Sequence, residues 1–260
     1  MSDFDRNAAA AFGRPLTRAE AAVVDEGLRA YMLRIYNYMV LGLAITGLAA
    51  LGIYMLSVTN DPALVVQKFR NIGLTSIGYT LFFSPVKWVV ILAPLALVFF
   101  LSFRIQHMRP AAAQLTFWIY AALVGLSLSV LFLVYTQTSI VRTFFITAAA
   151  FGALSLFGYT TKRDLSAMGS FLIMGVFGLI IASLVNIFLA SSALQFAISA
   201  IGVLVFAGLT AFDTQQIKEM YYEGDADVVA GRKAIMGALR LYLDFINLFM
   251  MLLSLFGNRR

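Results

Sequence analysis

Two aspartates stand in stretches that otherwise read as lipid-soluble: Asp213 in GVLVFAGLTAFDTQQI (202–217) and Asp244 in ALRLYLDFINLFMMLL (238–253). An ionisable side chain at membrane depth costs about 2.5–3.5 kcal/mol even on lenient insertion scales, so two of them on neighbouring spans call for a reason. Brought together between helices, two carboxylates in a poorly hydrated place do not both ionise cheaply, and the pair would hold a proton near neutral pH. The same pair is a partial ligand set for a hard cation such as calcium, with Asn247, Thr214 and water to complete the shell. Acid and calcium would then compete for one site.

A plainer alternative lies in the same stretch. Arg240, Asp244, Asn247 or Leu248, and Met251 share one helical face, so Arg240 can neutralise Asp244 along its own helix and leave Asp213 as a solvated interfacial group. Two membrane aspartates also describe an intramembrane protease with a shared proton, but the Gly-x-Gly-Asp signature is missing: Thr210-Ala211-Phe212 precedes Asp213 and Leu241-Tyr242-Leu243 precedes Asp244. A retinal protein would need a lysine in the last span, and there is none. No enzyme is expected.

The elements that must position these residues follow from composition. A chain of 260 residues with 61% hydrophobic and 12% charged residues, and a mean hydropathy of +0.88, is an integral membrane protein. Apolar stretches near bilayer length fall at 36–57, 87–105, 115–135, 142–159, 170–190, 194–212 and 235–256. Continuous runs such as VVILAPLALVFF lack the alternation of a barrel strand, so the expected fold is all-α with seven transmembrane helices, the second kinked at Pro94. Cysteine is absent, which removes disulfides and thiolate metal sites. The formal charge of +6 sits in short loops and at the termini, so nucleic acid is not an expected partner and the lipid bilayer is.

Residues 1–34 carry Asp3, Asp5, Glu20, Asp25 and Glu26 and no signal-peptide core, so they read as an amino-terminal tail ahead of a domain at 35–260. Thr17-Arg18-Ala19-Glu20 fits a capping box, and Val23, Val24, Leu28, Tyr31 and Met32 recur at helical spacing, as in a helix lying on headgroups or packing under the bundle. With the amino terminus cytoplasmic, that side receives Arg6, Arg14, Arg18, Arg29, Arg34, Arg104, Arg109, Lys162, Arg163, Lys218, Arg232 and Lys233. The far side receives only Lys68, Arg70, Lys87, Arg142, Arg259 and Arg260, which favours this orientation. Short connections at 136–141 and 191–193 make neighbours of spans three and four and of five and six. The segment 58–86 reads as a cap along the far interface. A carboxylate at a helix carboxyl end faces the negative dipole pole, so the sixth helix is expected to run on through Tyr221 and Tyr222, with Asp213 in its interior.

FDTQQI (212–217) and LYLDFINLF (241–249), preceded by GLRAYMLRIYNYMVLGLAITG (27–47) and SPVKWVVILAPLALVFF (84–100), resemble the Bax inhibitor-1 family of transmembrane Bax-inhibitor-motif proteins over nearly the whole chain from about residue 27. The resemblance implies six helices surrounding a central seventh and a pH-sensitive calcium leak gated by a di-aspartyl pair at Asp213 and Asp244. It implies no cofactor, calcium as the transported or bound ion, and a bacterial inner membrane as the setting. It also implies an arginine at the inner end of the second helix that latches the pair. In SFRIQHMRP this is Arg104, with His107 and Arg109 as alternatives, while Arg240 rides on the helix of Asp244 and tunes it. The alternative function is a non-transporting regulator that binds another membrane protein, a quality-control protease or a cell-death factor.

Overall fold

The structure is a computed structural model that describes the backbone of residues 18–260 and side chains from Asp25 onward. The capping box at Thr17 and the apolar positions Val23 and Val24 lie outside the described residues and side chains. In chain order the elements are α1 (Arg18–Ser57), β1 (Val58–Thr59), β2 (Gln67–Phe69), β3 (Ile72–Leu74), α2 (Ser76–Phe82), α3 (Val86–Arg104), α4 (Pro110–Leu128), α5 (Leu131–Val134), α6 (Gln137–Thr160), α7 (Ser166–Leu189), α8 (Ser192–Glu219) and α9 (Asp227–Phe256). Among the described residues, seven helices are long and apolar enough to cross a membrane: Asp25–Ser57, Val86–His107, Pro110–Val134, Gln137–Thr160, Ser166–Leu189, Ser192–Glu219 and Asp227–Phe256. The protein is an all-α, multi-pass membrane protein.

Each span begins before the apolar stretch that announces it, because local stereochemistry and not hydropathy sets a helix end. Pro110 opens α4 at a position where its missing N–H costs nothing, and the Ser191 hydroxyl caps α8 by accepting from Leu194 N. At the other end of α7, Ala190 takes the left-handed conformation (φ 47°), and the Asn186 side chain accepts from Ser191 N at 3.0 Å, which turns the chain directly into α8. This tight turn makes α7 and α8 antiparallel neighbours, as expected for spans five and six.

The chain divides into two compact units, residues 40–144 with 256–260, and residues 1–39 with 145–255. In the first, the Thr46 hydroxyl donates to Ala121 O at 2.9 Å, and a Cβ on Gly125 would overlap Thr46 O, so α1 and α4 meet backbone to backbone. The expected cap at 58–86 contains structure that the hydropathy pattern does not announce: an antiparallel sheet of order β1-β3-β2, then α2 with Thr75 as its N-cap. Buried Tyr54, Leu74 and Leu133 form its apolar core. Residues 258–260 pair back on 134–136, with Arg260 N donating to Val134 O at 2.9 Å and Thr136 N to Asn258 O at 3.0 Å.

In the second unit, Leu28, Tyr31, Met32, Ile35 and Met39 are buried along one face of α1. Of the two expected placements for this stretch, packing is the one observed. The core of α7, α8 and α9 gathers Leu172, Leu179, Ile198, Val205, Phe206, Leu209, Leu248 and Leu252. Between α6 and α7, the exposed Asp164 accepts from Ser166 N at 2.8 Å, and hydrogen bonds from Ser166 hold its carboxyl below the ordinary aspartate range. A carboxyl so lowered stabilises the fold above its unfolded titration, and the contribution is lost as pH falls through the folded midpoint. NMR titration should therefore place the Asp164 midpoint below that of an unstructured aspartate, and Ser166→Ala should bring it partly back up.

Candidate functional site

Asp213 lies in the interior of α8, half-buried, and Asp244 in α9 is only 5% exposed. Their carboxyl groups come within side-chain hydrogen-bonding reach of each other. Asp244 Oδ2 is buried and, among the described residues, receives no hydrogen bond from any N–H or O–H donor. Two carboxylates present only acceptors to one another, so this contact is a hydrogen bond only when one of them carries a proton. A proton shared by the pair would supply a donor to this contact.

The antiparallel course of α8 and α9 creates the meeting, but the helix ends fix it. α8 stops at Glu219 and does not continue through Tyr221 and Tyr222 as expected; Met220 caps it, its N–H reaching Gln216 O and Lys218 O. The reason lies in the partners of the following turn. Lys233 Nζ holds Met220 O at 3.0 Å and Asp225 Oδ2 at 2.5 Å, while the Tyr221 ring packs on Tyr31 at 5.5 Å between centroids. Asp213 remains an interior helical residue, as the dipole argument requires.

The polar run after Asp213 has a structural task that its sequence did not reveal. Gln215 Oε1 accepts from Leu165 N at 2.9 Å, and its amide nitrogen donates to Arg163 O at 2.8 Å; Lys218 Nζ donates to Tyr159 O at 3.0 Å. Gln215 and Lys218 thus bind the connection from α6 to α7. Thr214 donates its one proton to Thr210 O at 2.7 Å, so at the 2.9 Å contact with Ser155 it can only accept. Ser155 in turn accepts from Tyr36 at 2.5 Å. This directed chain of hydroxyls ties α1, α6 and α8 together next to Asp213. Thr214 is therefore engaged rather than waiting for an ion.

Arg240 is exposed, yet its charge bears on Asp213, on Asp244 and on the buried Tyr31 hydroxyl, which the charge of Asp225 also reaches. It gives no hydrogen bond to Asp244 Oδ2, so the neutralised pair along one helix does not describe that atom. Asn247 is half-buried and its amide nitrogen bonds back to Leu243 O at 2.9 Å, leaving the carbonyl oxygen as its ligand atom. Arg104 is exposed at the end of α3 in the other unit, as are His107 and Arg109 just beyond it. Among the described residues no group of three or more His, Cys, Asp or Glu side chains gathers as a metal site, so any cation at the pair draws its remaining ligands from carbonyls, amides or water.

Comparison with known proteins agrees with this architecture. The family described as Inhibitor of apoptosis-promoting Bax1 matches residues 28–260. An uncharacterized protein of Rickettsia prowazekii is 49% identical over 246 residues, which cover 94% of this chain and 96% of the relative. The inner membrane protein YbhL of Escherichia coli is 47% identical over 236 residues, 90% of this chain and 94% of YbhL. An uncharacterized membrane protein of Streptococcus pyogenes is 38% identical over 235 residues, 90% of this chain and 95% of its own length. Both aspartates and the last six spans fall inside the matched region, which also takes in the first span from residue 28 onward, and the chain belongs to the Bax inhibitor-1 family.

Proposed function

We propose that this protein is a pH-sensitive calcium leak of a bacterial inner membrane, with its amino terminus cytoplasmic and the Asp213–Asp244 pair as the gate that binds either a proton or the passing ion. The observation that carries the reading is the meeting of two carboxyls from adjacent helices, with Asp244 Oδ2 buried and without a hydrogen-bond donor among the described residues. A core residue retained for packing alone would be better served by an apolar side chain, because an unpaired buried acceptor costs about 1–3 kcal/mol. With one proton the two carboxyls bridge and hold α8 against α9. Without it their charges repel, and a divalent cation can replace the proton.

Calcium flux into dye-loaded proteoliposomes of the purified protein tests this directly, and a leak that varies with pH is expected. Arg240 favours the ionised pair through its charge, so Arg240→Gln should let the pair take up its proton at higher pH and move the midpoint upward. Because Arg240 is exposed and partly screened by solvent, the shift should shrink further as salt is raised. Arg104→Gln should move the midpoint the same way if Arg104 latches the pair, and not at all if it meets only lipid headgroups. A protein silent at every pH would favour the non-transporting regulator.

A further inference from the structure

The contact line between α8 and α9 has a charged end, a dry middle and a second polar end. The pair Asp213 and Asp244 forms the first. About three turns back along α8, on the same face as Asp213, lies Gly202; about two turns forward along α9, on the same face as Asp244, lies Met251. The two meet: a Cβ on Gly202 would stand 2.7 Å from Met251 Sδ, so the thioether fills the space that the glycine leaves. Buried Val205, Phe206, Leu209 and Leu248 keep this stretch apolar.

Beyond Met251 the seam turns polar again. Ser199 Oγ and Ser254 Oγ lie 2.8 Å apart across it, and the Gln195 amide nitrogen reaches both at 3.4 Å. The Gln195 carbonyl accepts from Asn186 at 3.2 Å. Neutral hydroxyl and amide oxygens are poor company for a sealed apolar core but suit a partly dehydrated hard cation. Asp244 and Ser254 are separated by about 15 Å along α9, half a hydrocarbon core, and the stretch between them is packed with apolar side chains.

We propose that the α8–α9 seam is the ion path and that Met251, seated over Gly202, is its hydrophobic gate, with Gln195, Ser199 and Ser254 as the polar station on the far side. The proposal rests on the calcium-leak reading above. Methionine suits the part: its unbranched side chain leaves the glycine notch by rotation alone, without moving backbone. Repulsion between ionised carboxyls at the other end of the same two helices loosens that seat, while a shared proton tightens it.

The test pairs flux with accessibility. At the pH where the wild-type protein leaks least, Met251→Ser should raise calcium flux several-fold, whereas Met251→Leu, apolar and similar in volume, should stay closed. The chain has no cysteine, so Met251→Cys reports alone: from the closed to the leaking pH, its modification by a membrane-impermeant thiosulfonate should speed up by more than that of an exposed Glu223→Cys control, which carries the rise in thiolate alone, whether or not the serine variant folds. A pH-dependent wild-type leak with no extra flux through Met251→Ser, equal flux through Met251→Leu and Met251→Ser, or an unreactive Met251→Cys overturns the gate and leaves the leak standing. If the wild type and Met251→Ser are both silent at every pH, the leak and the gate fall together; a silent wild type with a conducting serine variant supports the gate.

Discussion

Asp244→Asn should abolish the pH dependence of calcium flux. A one-proton switch changes the population of its states about tenfold per pH unit on its steep limb, and proteoliposomes bearing the variant should instead show a nearly flat profile between about pH 5 and pH 8. Asparagine keeps the size of the side chain and brings an amide that can donate permanently to the Asp213 carboxylate. It thus imitates the protonated pair without titrating. Asp213→Asn makes the mirror-image arrangement and should flatten the profile as well. A wild-type pH profile in either variant would reduce the aspartate it replaces to a structural residue. Folding should survive both changes, because one buried charge is removed and no acceptor is stranded.

Much of this architecture was legible in the sequence because lipid imposes a length. Seven apolar stretches near bilayer size gave seven helices, and two aspartates inside such stretches marked the candidate site by their cost alone. Leu28, Tyr31 and Met32 at helical spacing announced a packed face on α1. The helix ends were less legible, because capping and partner contacts set them: α8 stops where Lys233 holds Met220 O and Tyr31 packs on Tyr221. The strands at 58–74 are two or three residues long, too short for alternation to register. Tyr36 and Ser155 carry no sequence signal at all, since a tyrosine and a serine in membrane helices are ordinary until the structure places them on Thr214. Spacing along one helix can pair Arg240 with Asp244. Only the crossing of two helices pairs Asp213 with Asp244.

That crossing depends on a third helix, and Gly158→Ala should expose the dependence. Gly158 is buried on α6, where a Cβ would overlap the carbonyl oxygen of Ala211 and stand within 3.0 Å of its Cα, and helical backbone cannot swing aside as a side chain can. α6 and α8 would have to separate. One turn before Gly158 on α6, Ser155 donates to Thr214, so separation strains the hydroxyl chain as it displaces the turn that carries Asp213. Overpacking of this kind costs about 1–3 kcal/mol, and thermal unfolding in detergent should register it as a lowered Tm. The matched control is Gly152→Ala on the same helix, where a new Cβ would meet nothing within 4 Å. There alanine should be neutral or stabilise by up to about 1 kcal/mol through helix propensity alone. Opposite signs at two glycines of one helix would separate the backbone contact from the general preference of helices for alanine, and equal unfolding temperatures would show that α6 does not press on α8 at Ala211.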